Sequence, residues 1–157
     1  MQSAWLWIRK LHTLFGKTVS VLQSPLLLVV RLYWGWQLAQ NGWGKLHNLE
    51  KVTAFFSSLA LPVPGPTAVF IATVEFLGGI LLAIGLLSRP VALVITIDMA
   101  MAYILADREA LFSFFSDPGK FYNADPYTFL FAALLVLAFG PGKASVDTLL
   151  ERFTREP

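Results

Sequence analysis

The run from residue 66 to residue 87, PTAVFIATVEFLGGILLAIGLL, carries one ionisable side chain, Glu75. A helix rises about 1.5 Å per residue and a bilayer core is about 30 Å thick, so roughly 20 apolar residues in sequence suffice to cross it. A helix that is apolar all round does not suit the surface of a soluble domain, which needs a polar face. Comparable runs recur along the chain, and spans are expected at about 25–41, 66–87, 90–106 and 126–139, the last being the shortest. Only 14% of the 157 residues are charged, against about 25% in ordinary soluble proteins. Mean hydropathy is +0.63. The expected fold is all-α: an integral membrane four-helix bundle, one domain over residues 1–157, with the lipid bilayer around it.

Three flanking stretches have the pattern of helices lying on a membrane surface. In SAWLWIRKLHTLFGK, Trp5, Ile8, Leu11 and Phe15 recur at helical spacing while Arg9, Lys10, Thr13 and Lys17 gather opposite them. Between the first two spans, NLEKVTAFFSSLALPVPGP predicts an amphipathic helix closed by a proline-glycine break. After the last span, Ser145 can cap a short helix with Val146, Leu149, Leu150 and Phe153 on one face. The stretch LFSFFSDPGKFY predicts an aromatic loop at the interface, with a turn at Pro118 and Gly119. There is no internal repeat and no linker.

Basic residues set the expected orientation. Arg9, Lys10, Lys17, Arg89, Lys143, Arg152 and Arg155 fall on one side of these spans, and Lys45, Lys51, Arg108 and Lys120 on the other. By the positive-inside bias both termini are expected in the cytoplasm.

The chemistry must come from the few polar groups within the spans: Arg31, Gln37, Gln40 and Asn41 in the first, Glu75 in the second and Asp98 in the third. A charge at the centre of a spanning helix costs about 2.5 to 3.5 kcal/mol on insertion scales, so these residues are expected to face one another. Arg31, Gly35, Leu38, Gly42 and Lys45 fall on one stripe of a helix. Gly35 with Ala39, and Gly79 with Ala83, form small-xxx-small pairs that let the first two spans approach closely. Depth counted from the expected span ends puts Arg31 level with Asp98, and Glu75 level with Gln37. Glu75 is therefore expected to be held by Arg31, Lys45, or the amides of Gln37 and Asn41, and Arg31 to pair with Asp98 or Glu75.

An arginine in the first span, the NGWGKL ending with Gly42 and Lys45, the AFFSSLALPVPGP segment, and VEFLGGILLAIGLLSRP with Glu75, Gly78, Gly79, Gly85 and Arg89 together resemble the DoxX family of small four-span membrane proteins. The resemblance covers about residues 25–141. It departs at Asn41, where members often carry histidine. The family's name comes from its similarity to a subunit of a thiosulfate:quinone oxidoreductase, and other members are linked to membrane redox complexes. The resemblance thus implies a quinone-linked or redox-complex-associated subunit, in the bacterial cytoplasmic membrane.

Such a subunit needs an electron carrier, and the chain has none of its own. It contains no cysteine, so thiol relays, disulfides and iron–sulfur ligation by this chain are excluded. His12 and His47 fall at opposite ends of the first span and cannot jointly ligate one metal or haem. No phosphate-binding glycine motif, Ser-His-Asp set or nucleic-acid signature is present; the formal charge of +2 belongs to the basic rim. The expected carrier is a quinone or a partner's cofactor. In that reading Glu75 transfers protons, and Arg31, Gln37, Asn41, Lys45, Trp34 and Asp98 form the ligand site. The alternatives are a non-catalytic scaffold docked on a redox partner or a second copy of itself, and a proton-coupled small-anion transporter using Arg31 and Lys45.

Overall fold

The computed structural model describes residues 2–154, and in them the chain is all-α. The elements are α1 (Gln2–Leu46), α2 (Leu49–Ser58), α3 (Pro64–Ile84), α4 (Ser88–Leu105), α5 (Arg108–Phe112), α6 (Pro118–Tyr122), α7 (Pro126–Phe139) and α8 (Val146–Thr154). Residues 12–46 of α1, together with α3 and α4, are long and apolar enough to cross a membrane. Helix α7 coincides with the expected fourth span but has 14 residues, about 21 Å at 1.5 Å each.

Proline and glycine punctuate the helices as their backbone chemistry requires. Pro64 opens α3 and Pro126 opens α7, at positions where a helix has no use for the missing N–H. Gly85 ends α3 with φ +73°, and its N–H bonds to Leu81 O at 2.9 Å. The following turn is tight enough that Leu87 is also left-handed, at φ +50°. Two expectations are corrected here. The second span stops at Ile84 rather than Leu87, because the chain turns at Gly85. The proline-glycine break before it is instead the first turn of α3, and Pro118–Gly119 likewise begins α6.

A third correction concerns the N-terminal stretch. It is continuous with the first span, since α1 passes through Pro25 without ending. Proline removes one backbone hydrogen bond and crowds the preceding turn, and a helix of 45 residues absorbs that loss. The side chains of Ile8, Leu11 and Lys17, and Arg155 in the tail, lie outside the described residues; the described Trp5, Trp7, Leu14 and Phe15 are exposed.

Helix α1 packs on α3, α3 on α4, α4 on α7, and α7 on α1, while α2 lies against α3. The α1–α3 seam is made by glycine. A Cβ on Gly35 would lie 2.8 Å from both Ala83 N and Gly79 O, and one on Gly42 would run into the backbone of Phe76. The backbones therefore touch, as the small-residue pairs lead one to expect. Elsewhere the core is aliphatic, with Leu82, Ala92, Ile95, Ala132, Ala133 and Val136 buried together. Phe70, Leu77, Ile97 and Phe131 point outward and are each at least half exposed, a surface suited to lipid and unsuited to water.

Candidate functional site

The α1–α3 register decides which polar groups meet. Gly42 sits against Ala72 and Phe76, and Ala39 against Gly79, so Glu75 comes abreast of the last turn of α1. There Lys45 Nζ donates to Glu75 Oε1 in an ion pair. The Glu75 side chain is only 5% exposed and that of Lys45 36%, so the carboxylate is buried and the lysine reaches down to it from the rim. Glu75 Oε2 has no hydrogen-bond partner among the described residues.

This pair lies in the floor of a cleft of about 910 Å³ at the α2 end of the molecule. Asn41, Asn48, Asp107, Tyr122, Asn123 and Asp125 supply polar groups to its walls, and Leu38, Val52, Phe55, Met99 and Phe129 supply apolar ones. Tyr103 fixes the loop that forms the far wall: it is buried, and its hydroxyl donates to Phe121 O at 2.7 Å while the two rings stack. Farther out on that loop Lys120 pairs with Glu109 at 2.8 Å. The hydrogen bond and charge of Lys120 hold the exposed Glu109 carboxyl below its usual range.

Arg31 is elsewhere. It is the largest fully buried side chain and lies at the opposite, α8 end, where Nη2 donates to Ala144 O. Gly85 makes room for it, since a Cβ there would fall on the guanidinium. The nearest acidic charge acting on it is Asp147. The expected pairing of Arg31 with Glu75 or Asp98 is thus corrected: Arg31 is about 21 Å from Lys45 along α1, and Lys45 takes the role with Glu75. The expected depths were shifted because Pro25 does not mark the level of the α3–α4 turn: α1 runs on through it, with Gly35 against Ala83 and Arg31 against Gly85. Arg31 and Lys45 also stand too far apart to act on one small anion.

Asp147 was not anticipated. Its carboxylate accepts from Leu87 N at 2.7 Å and Ser88 N at 2.8 Å, capping α4 across 59 residues of sequence. Its own N–H donates to Gly85 O at 2.9 Å, and Ser145 Oγ caps α8 by accepting from Thr148 N at 3.2 Å. Burial works against the Asp147 charge, but the hydrogen bonds from Ser88 and Leu87 and the charge of Arg31 prevail and hold the carboxyl below its usual range. The sequence signal was a helix start, LSRP, lacking a capping acid of its own.

Of the expected site residues, Glu75, Lys45 and Asn41 come together at the cleft, and Asp98 is close enough for the charges of Glu75 and Lys45 to act on it. Trp34 instead packs on the aliphatic core, and neither it nor Gln37 lines the cleft, although Gln40 does. Among the described residues no group of three or more histidine or carboxylate ligands is arranged to hold a metal.

Comparison with known proteins gives one match. The family model described as DoxX matches residues 26–108, which include Arg31, the glycine seam, Lys45, Glu75, Asp98 and three of the cleft's walls. Neither the curated proteins nor the solved structures contain a significant match.

Proposed function

The chain belongs to the DoxX family, and from that membership and the geometry of the cleft we propose that it is the membrane subunit of a redox complex, binding a quinone headgroup at the α2 end of a four-helix bundle. The observation that carries the reading is a buried carboxylate in a cleft floor, held through one oxygen by Lys45 and with the other oxygen unpartnered. The residues fit such a headgroup. A flat ring with two carbonyl oxygens needs apolar walls and a few donors, as ligand clefts generally do, and Leu38, Val52, Phe55 and Met99 face the same space as Lys45, Gln40 and Asn41. When bound, a quinone supplies two-electron, two-proton chemistry, with the electrons drawn from a partner's cofactor.

The chain's own residues bind, orient and move protons. Lys45 Nζ and the Asn41 amide donate to carbonyl oxygen. Glu75 exchanges a proton at Oε2, because an oxygen without a protein donor can pass a proton on without first breaking a bond within the protein. In this reading α1, α3, α4 and α7 lie across the bacterial cytoplasmic membrane with the α8 end in the cytoplasm, so the cleft opens on the opposite face.

The test has two measurements. Lipids extracted from the protein purified in mild detergent should contain quinone well above its share of the membrane, as read by mass spectrometry. In membranes, Glu75→Gln protein should fold normally yet fail in quinone-dependent electron transfer. No quinone enrichment together with full activity of Glu75→Gln would remove this reading and favour a non-catalytic scaffold.

A further inference from the structure

Asp98 is placed by register beside the pair just described. Helices α3 and α4 run antiparallel, and a Cβ on Gly78 would touch the Ile95 side chain at 3.5 Å. Glu75, one turn from Gly78 toward the α2 end, therefore comes abreast of Asp98, one turn from Ile95 toward the same end. Asp98 also sits next to Met99 and one turn below Ala102, and both of these line the cleft. The charges that act on it come from Glu75 on α3 and Lys45 on α1, and α7 carries no lysine, arginine, histidine or carboxylate. Two carboxyls thus have one ammonium near them, paired with Glu75 and acting on Asp98 from beyond ion-pair distance. Asp98 Oδ2, like Glu75 Oε2, is buried without a hydrogen-bond partner among the described residues. In a setting poor in water, two adjacent carboxyls with a single cation held by one of them are relieved by one proton on the other, which also lets it donate to its neighbour.

We infer that Asp98 is the proton store of the cleft, holding a proton that it delivers to Glu75. The inference rests on the proposed proton exchange at Glu75 and extends it. In the step, the O–H bond of Asp98 breaks and an O–H bond forms at the ionised Glu75 Oε2; that bond then breaks in turn as Glu75 passes the proton to the reduced ligand in the cleft, leaving Glu75 a carboxylate again. Asp98 is refilled from the cleft mouth, where Asp107 and Asp125 line the walls. No electrons move through these residues; the two that reduce the ligand come from the partner's cofactor. Asp98 acts through Glu75 and is a positioning and supply residue for it.

Infrared spectroscopy of the full chain in ester-free detergent at neutral pH tests this without any substitution. The protein should show a protonated-carboxyl C=O band that shifts when the chain is made with ¹³C-carboxyl aspartate and stays in place with ¹³C-carboxyl glutamate. Asp98→Asn should abolish the band, and Lys45→Met should increase it about twofold by removing the ammonium near both carboxyls. Asp98→Asn should also keep the bound quinone while lowering turnover by about tenfold or more. A band that follows glutamate labelling alone, the absence of any such band in the unaltered protein, or normal turnover of Asp98→Asn would overturn the inference. An aspartic-acid band in protein that carries no quinone would support the store and count against the quinone reading, so the two can fail separately.

Discussion

Gly79 is a point at which the α1–α3 seam has no room for a single methyl group. A Cβ added there would lie 2.6 Å from Gly35 O and closer still to Ala39 N. Both obstacles are backbone, so no side chain can swing aside. Ordinary contact begins at 3.4 Å, and the helices must therefore separate locally by at least about 0.8 Å. A gap of that size forfeits roughly a quarter to a half of each dispersion contact around it, and overpacking a tight interface typically costs about 1 to 3 kcal/mol. Against this, alanine favours a helix over glycine by about 1 kcal/mol. Gly79→Ala should thus be destabilised by about 0 to 2 kcal/mol net, and by about 1 to 3 kcal/mol relative to an alanine that gains the helix preference without the clash. Gly44→Ala is the control: it lies in α1 with nothing within 4 Å of the new Cβ, so it gains the helix preference and loses no contact. Denaturant unfolding of the purified protein in one detergent would measure both. If Gly79→Ala proves as stable as Gly44→Ala, the two backbones do not touch and the placement of Glu75 opposite Lys45 loses its basis.

The remaining predictions concern the charges at either end. Lys45→Met should cost about 1 to 3 kcal/mol, below the 3 to 5 for breaking a fully buried pair because Lys45 is partly exposed, and adding Glu75→Gln should recover part of the loss in a double-mutant cycle; strict additivity would refute the pair. The folded-state value of Asp147 is depressed, so the stability it gives the α8 clasp is fully present above the ordinary aspartate value of about 3.9 and lost as pH falls through that value and then the lower folded one. Amide exchange in α8 should accordingly accelerate in that acid range, and Asp147→Asn should exchange fast already at neutral pH; equal rates for both proteins at neutral pH would show that the clasp does not hold α8. For orientation, cysteine at Ser116 should react with an impermeant thiol reagent in intact cells and cysteine at Lys143 should not, and the reverse would place the cleft on the cytoplasmic side.

Much of this arrangement was legible because it depends on local composition. Apolar length announced the helices, and the spacing of Gly35, Ala39, Gly79 and Ala83 announced a close α1–α3 contact that the structure contains. The partner of Glu75 was less legible, for a geometric reason. Counting depth from Leu87 treated a turn as helix and displaced Glu75 by about a turn relative to α4, and taking Pro25 as the matching level on α1 set Arg31 too close to Glu75, whereas Gly35 lies against Ala83 and Arg31 against Gly85. Whether Pro25 ends a helix or is tolerated within one is decided by the turns on either side, and a one-residue signal does not encode that. Asp147 was harder still to reach: the helix start at Ser88 lacks a capping acid of its own, but the acid that supplies it lies 59 residues away in sequence.

The two ends of the molecule are built for different tasks, and the fate of each buried charge shows it. At the α8 end Arg31 is sealed: Gly85 lacks a side chain so that the guanidinium fits, Ala144 O accepts from it, and Asp147 balances its charge while bonding the α3–α4 turn. Arg31 Nε and Nη1 and Ser88 Oγ are nevertheless buried without a hydrogen-bond partner among the described residues, so this clasp does not satisfy every polar atom it covers. At the α2 end the buried charges adjoin a cleft instead. Glu75 is paired through a single oxygen, Asp98 keeps an unpartnered one, and the lysine that serves them stands on the rim of an open cleft. Unpartnered groups thus occur at both ends, and what sets the α2 end apart is that its free atoms are carboxylate oxygens and that Glu75 lines an open cleft, the arrangement that proton exchange with a ligand requires.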